Sequence, residues 1–141
     1  MHGMTLYNVL KGLPVELITH NVGNVDSIGN VIFLAGAKRY ACKDSTFMFH
    51  GVGFDGIPNM RLEEKFLKER LDSIRSDQNR IAEVIAERSA ITRDEVAKWF
   101  LEGQTKDATF ATSHGIVHEI RDVQIATGHP VVSLVFERKG V

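Results

Sequence analysis

A single cysteine, a near-zero net charge and the want of any long apolar run argue against disulfide-built, nucleic-acid-binding and membrane-spanning roles before any motif is read. Cys42 is the lone thiol, so neither an intrachain disulfide nor a multi-thiolate metal site can form, and a small buried residue in a reducing compartment is its simplest reading. Seventeen basic residues face 18 acidic ones for a net charge of −1, with a pI near 6.6. That balance leaves no electrostatic footprint for nucleic acid or acidic lipid. Val31–Ala35, the longest apolar run, falls far short of the roughly 20 residues that cross a bilayer. No signal peptide is visible, no motif asks for a cofactor or metal, and a cytoplasmic location is expected. What is present is ordinary for a folded chain: 141 residues, 43% hydrophobic and 25% charged, enough for one domain over 1–141.

Along the chain, Met4, Leu6, Tyr7, Val9 and Leu10 predict a short helix ended by Gly12 and Pro14. Val15–His20 reads as a strand and Asn21–Asp26 as a loop. Ser27–Ala37 is apolar on all sides and predicts a buried helix, and Thr46–His50 predicts a strand after a polar turn. Gly51, Gly53, Gly56 and Pro58 make a flexible connection. Then Leu67, Leu71, Ile74, Ile81 and Ile85 mark one helical face through about Met60–Arg88, longer than most globular helices. Thr92-Arg-Asp-Glu95 is a capping box that opens a helix through Trp99 and Leu101. Asp107 caps a short helix closed by Gly115, a strand follows at Ile116–Ile120, and a last one at Val131–Phe136. Strands alternate with helices, so the class is α/β.

One block carries chemistry. Ser27 stands at a strand-to-helix turn, beside the free backbone N–H groups of a helix start. The Ile28 N–H is placed to stabilise an oxyanion formed when Ser27 attacks a carbonyl, and Gly29 leaves room for the substrate. His50 ends an apolar strand where the chain enters the glycine-rich loop, a position suited to a general base. A serine there is also an ordinary helix cap, and five other histidines dilute the signal.

The segment Asp-Ser-Ile-Gly-Asn-Val-Ile-Phe-Leu-Ala-Gly-Ala-Lys-Arg resembles the nucleophile segment of Clp protease proteolytic subunits, which have Ser-Met-Gly, an apolar helix and Ala-Gly-Ala-Lys. Ser-Thr-Phe-Met-Phe-His resembles the family's Ser-X-X-Met-Ile-His. The Met60–Arg88 helix is similar to its handle helix, Ala108–Ile120 to its Ala-X-X-Ala-X-X-X-Gly-Leu-Val-Asp segment, and His2-Gly-Met-Thr-Leu-Tyr to its first helix. The resemblance runs to about residue 120, leaving 121–141 as a C-terminal extension. It implies a Clp/crotonase fold of stacked ββα units with a protruding handle helix. It also implies a serine endopeptidase acting through an acyl-enzyme, with Ser27 as nucleophile, His50 as base and the Ile28 N–H as oxyanion donor. Peptides or unfolded proteins become the expected substrates, a homo-oligomeric ring the expected assembly, and an AAA+ unfoldase the expected partner.

Against that pattern the triad aspartate falls on Gly103, with Glu102 and Asp107 as the nearest carboxylates. Asp26 stands beside the serine where the family has a small residue, and a helix-capping role is expected for it. The Gly-Gly-Ser-Val-like segment that supplies a second oxyanion N–H has no counterpart, so an N-terminally truncated version of the fold is expected. Without early strands, apolar surface near Val15–His20 and Val31–Leu34 is expected to lie uncovered and to promote self-association. The alternative function is a catalytically weakened structural subunit of a Clp-type ring; an acyl-CoA enzyme of the crotonase branch is disfavoured by the serine and histidine segments.

Overall fold

The computed structural model describes residues 2–56, 59, 61–124 and 128. Its first element, α1 (His2–Gly12), buries Met4 and Tyr7 on its inner face, with Leu10 partly covered. Burial pushes the Tyr7 hydroxyl above its ordinary pKa. An added Cβ at Gly3 would collide with the Ile28 side chain, so α1 lies directly against the turn that carries Ser27.

From there the chain steps twice between two three-stranded sheets. β1 (Ile18–Asn21) lies in the first sheet and β2 (Asn24–Asp26) in the second, followed by α2 (Gly29–Phe33). The pattern repeats with β3 (Lys38–Ala41) in the first sheet, β4 (Thr46–Phe49) in the second, and α3 (Glu64–Arg88). These are two stacked ββα units, the α/β architecture expected from the sequence. β1 and β3 pair in parallel with Ile18 opposite Lys38, and β2 and β4 in parallel with Asp26 opposite Met48. After α4 (Arg93–Glu102), β5 (Gln104–Asp107) runs antiparallel to β4, then α5 (Ala108–Ser113) leads to β6 (Glu119–Ile120), parallel to β3.

Both crossings between sheets are pinned by buried polar side chains. Asn21 donates to the Thr46 carbonyl at 2.8 Å and accepts from the Gly23 N–H at 3.0 Å. Ser45 donates to the Cys42 carbonyl at 2.7 Å. Cys42 is itself only half-buried, with its Sγ 3.7 Å from His20 Nε2. Between the sheets and helices Phe47, Phe49, Leu34, Ile85 and Val96 are fully enclosed, and Phe33 meets Phe47 edge-on.

Several boundaries differ from the sequence reading. β1 begins at Ile18, and the expected loop Asn21–Asp26 contains β2, whose Asn-Val-Asp offers one apolar residue. β3 and β5 were not foreseen, because Lys-Arg-Tyr-Ala and Gln-Thr-Lys-Asp lack apolar alternation. The helix expected over Ser27–Ala37 is only five residues long: Ser27 takes a left-handed conformation, and the chain turns again after Phe33. α3 starts at Glu64, with 25 residues making a rod of about 37 Å. Its first half, with Leu67 and Leu71, stands in solvent, whereas Ile81, Ala82, Val84 and Ile85 are buried. The strand at Ile116–Ile120 shrinks to β6, since Ile116 and Val117 fill the core from a turn. Val131–Phe136 lies outside the described residues.

The expectation of an uncovered apolar surface holds at Val15 and Ile18, which are 63% and 51% exposed. It is wrong at Val31 and Leu34, which are buried because α1 packs over α2 and closes that face.

A second polar centre lies on the opposite flank. Buried Arg39 donates from Nε to the Ile116 carbonyl at 2.7 Å, from Nη1 to Gly36 at 3.2 Å, and from Nη2 to Gly115 at 2.9 Å and Arg88 at 3.1 Å. Arg88 donates in turn to the carbonyls of Leu34 and Gly36. Burial, and then the neighbouring Arg88, pull the Arg39 pKa below the ordinary arginine value.

Candidate active site

β2 and β4 lie side by side and end together, so the residues that follow them share one edge of the second sheet. Ser27 follows β2 and His50 follows β4, and both line a cleft of about 380 Å³ with Ile28, Phe49, Val52, Asp77, Ile81, Ile85 and Phe100. The structure therefore brings Ser27, Ile28 and His50 to one cavity, as the sequence reading supposed.

The serine is not a helix cap. Its φ of 55° is one of two positive values among described non-glycine residues, and the N-cap position falls on Ile28, which makes no side-chain capping bond. A left-handed serine between strand and helix makes a sharp elbow that lifts the hydroxyl out of the backbone ladder, at a cost of about 1–3 kcal/mol. The elbow is held from below. Ser27 N–H donates to the Met48 carbonyl at 2.9 Å. The buried Asn30 amide donates both to Met48 at 2.8 Å and to the Ser27 carbonyl at 3.0 Å. Asn30 Oδ1 meets no partner among the described residues. Sequence reading passed over Asn30; a buried amide three residues after the serine was the available signal. The Ile28 N–H finds no backbone acceptor among the described residues, and Ile28 lines the cleft.

His50 is exposed, but its orientation is set. Its Nδ1 lies 2.8 Å from the Gly51 carbonyl, which can only accept, so Nδ1 is the donor of this bond and the neutral ring would be the tautomer with Nε2 as acceptor. The loop behind it is anchored where the Gly51 N–H donates to the Phe100 carbonyl at 3.0 Å, at the end of α4. A Cβ at Gly51 would sit 2.8 Å from that carbonyl oxygen, so only glycine fits there. Phe49, beside His50, is fixed by its contact with Trp99, ring centroids 5.2 Å apart.

Among the described residues, no carboxylate forms a hydrogen bond or ion pair with His50, whose side-chain partner is the Gly51 carbonyl. Gly103 ends α4 with a φ of 66°, a backbone conformation in which a side chain is strained. Glu102 turns to Gln104 and Lys98. Asp107 caps α5 by accepting from the Phe110 N–H at 2.7 Å. Asp26 is exposed at the end of β2 and caps nothing, contrary to the role expected of it. The acid that does line the cleft, Asp77 on α3, was absent from the sequence reading, which took that helix face as purely apolar.

With this geometry in place, comparison with known proteins decides the family. The Clp protease family model matches residues 1–124. The chain belongs to the Clp protease family. It is 28% identical to ATP-dependent Clp protease proteolytic subunit 1 of Corynebacterium jeikeium over 120 residues, covering 77% of this chain and 60% of that one. Against proteolytic subunit 2 of Corynebacterium efficiens it is 27% identical over 117 residues, or 74% of this chain and 55% of the other. In fold it matches a ClpP1 point mutant from Listeria monocytogenes with a TM-score of 0.73 at 22% identity, over 86% of this chain and 66% of that one. The chain spans about 60% of the length of the curated relatives. Among the described residues no helix is long and apolar enough to cross a membrane, and no group of three or more His, Cys, Asp or Glu is placed to hold a metal.

Proposed function

We propose that this chain is a Clp-type serine endopeptidase subunit, cleaving peptides or unfolded proteins through an acyl-enzyme. The observation that carries the proposal is the elbow at Ser27: a left-handed serine that lines one cleft with a histidine whose Nδ1 is engaged by a backbone carbonyl. Nε2 of His50 takes the hydroxyl proton as Ser27 Oγ attacks the scissile carbonyl. The Ile28 N–H donates to the oxyanion, and the imidazolium returns the proton to the leaving amine. Water then attacks the acyl-enzyme with His50 again as base, which frees Ser27. In this scheme the Gly51 carbonyl takes the orienting task that a carboxylate performs in a triad, without a carboxylate's charge to stabilise the imidazolium. Catalysis is accordingly expected to be slow: loss of the acid from a triad lowers turnover by about 10⁴.

A ring of several copies, an AAA+ unfoldase that feeds it and a cytoplasmic location follow from the same reading. The exposed Val15, Ile18, Leu67 and Leu71 support association between copies.

The second reading, a weakened or inactive structural subunit, is favoured by one observation: the positive-φ Gly103 where the family has its acid. A fluorophosphonate probe separates the two. Labelling of the wild-type chain, lost in Ser27→Ala and reduced by about 10³-fold or more in His50→Ala, is the expected result. A folded wild-type oligomer that takes no label is a structural subunit.

A further inference from the structure

The cleft beside Ser27 has an unequal lining. Asp77, Ile81 and Ile85 follow one another at four-residue spacing on α3, so they form a row about 12 Å long on one face of that helix. Ile85 and Ile81 are 1% and 7% exposed, and Phe49 and Phe100 add aromatic surface to the same lining. Asp77 stands at the other end, with its side chain 26% exposed. Its recorded partner is Arg80, which meets only Oδ1, at 3.4 Å, from a side chain 54% exposed. That contact is long and wet, so it is weak and easily exchanged. His50 is the other titratable residue of the lining and is uncharged when it serves as base.

We propose that Asp77 makes this cleft a subsite for a lysine or arginine side chain of the substrate, next to the bond that Ser27 attacks. An apolar trough that ends in a partly exposed carboxylate suits a side chain with an alkyl stem and a cationic head. The stem lies along Ile81, and the head replaces Arg80 at Asp77. A purely aliphatic side chain fills the trough but leaves the carboxylate against an apolar end group, so it loses the ionic contact. An acidic side chain meets like charge. The inference rests on Ser27 being the nucleophile.

The test uses two peptidyl phosphonate diphenyl esters that differ only in the residue beside phosphorus, lysine in one and norleucine in the other. The two share a straight alkyl stem, so their ratio of labelling rates on the intact chain reads the charge contact alone. The lysine ester is expected to label Ser27 about tenfold faster, and Asp77→Asn is expected to bring the ratio close to one. A circular dichroism spectrum and melting temperature like those of the wild type show that the variant is folded. Equal or faster labelling of the wild type by norleucine overturns the basic subsite while leaving the serine peptidase reading intact, as does a lysine preference that survives Asp77→Asn. No labelling by either ester overturns both.

Discussion

The two sheets of this chain end in opposite chemical states. On the first, the guanidinium of Arg39 in β3 spends four of its five N–H donors on backbone carbonyls, and the neighbouring loops are drawn around it. On the second, the residues that follow β2 and β4 keep reactive atoms unspent: Ser27 in a strained turn, the Ile28 N–H without a backbone acceptor, and His50 with one ring nitrogen free. Both places concentrate polar groups near a core, yet one has spent four of its five N–H donors on the backbone and the other has kept its reactive atoms. A committed centre holds the fold together; an uncommitted one is available for chemistry.

The strongest way to break this contrast is to empty the committed side. Arg39→Met is expected to destabilise the chain by about 3–5 kcal/mol, since carbonyls packed around the guanidinium lose their donor, and a urea unfolding midpoint measures it. If the midpoint hardly moves, Arg39 is not the clamp described. Next in size is Asn30→Ala, which cuts the tie between the elbow and β4 and is expected to cost about 1–2 kcal/mol. Because it also loosens Ser27 relative to His50, probe labelling is expected to slow more than stability alone accounts for. Ser27→Gly sharpens the contrast from the other side. It should raise stability by about 1 kcal/mol, seen as a higher melting temperature, while abolishing labelling.

The smallest effect concerns His118, whose Nδ1 accepts the Arg39 N–H at 3.2 Å. Partial burial, then Arg39 and Arg88, hold its pKa below the ordinary imidazole value. The unfolded chain therefore takes up this proton first as pH falls. The stability is complete above the unfolded pKa of about 6.5 and declines below it. His118→Asn, which keeps an acceptor but cannot titrate, is expected to flatten part of the fall in melting temperature between pH 7 and pH 5.

How much of this was legible in the sequence depended on whether the signal was local. The capping box at Thr92–Glu95 and the cap at Asp107 were readable because a cap involves residues three apart. The buried half of α3 was readable from its period. β2, β3 and β5 were not, because their pairing is decided by strands distant in the chain, and a short polar strand has no alternation to show. The serine and histidine were visible as types at meaningful places. Their shared cleft, the left-handed turn and the Gly51 carbonyl are three-dimensional facts. Asp77 was missed for a related reason: in a long polar helix one aspartate is indistinguishable from its neighbours until the fold shows which of them turns inward.

The left-handed turn at Ser27 also bears on how such a chain changes over generations. From a serine codon of the AGC or AGT kind, one base change gives glycine or asparagine, the two residues that adopt this backbone most easily. Replacement of the serine would thus meet no resistance from folding and would be rewarded by it. Only selection on the hydroxyl's chemistry opposes that drift, so among descendants of this chain the residue at position 27 should report whether the site is still in use.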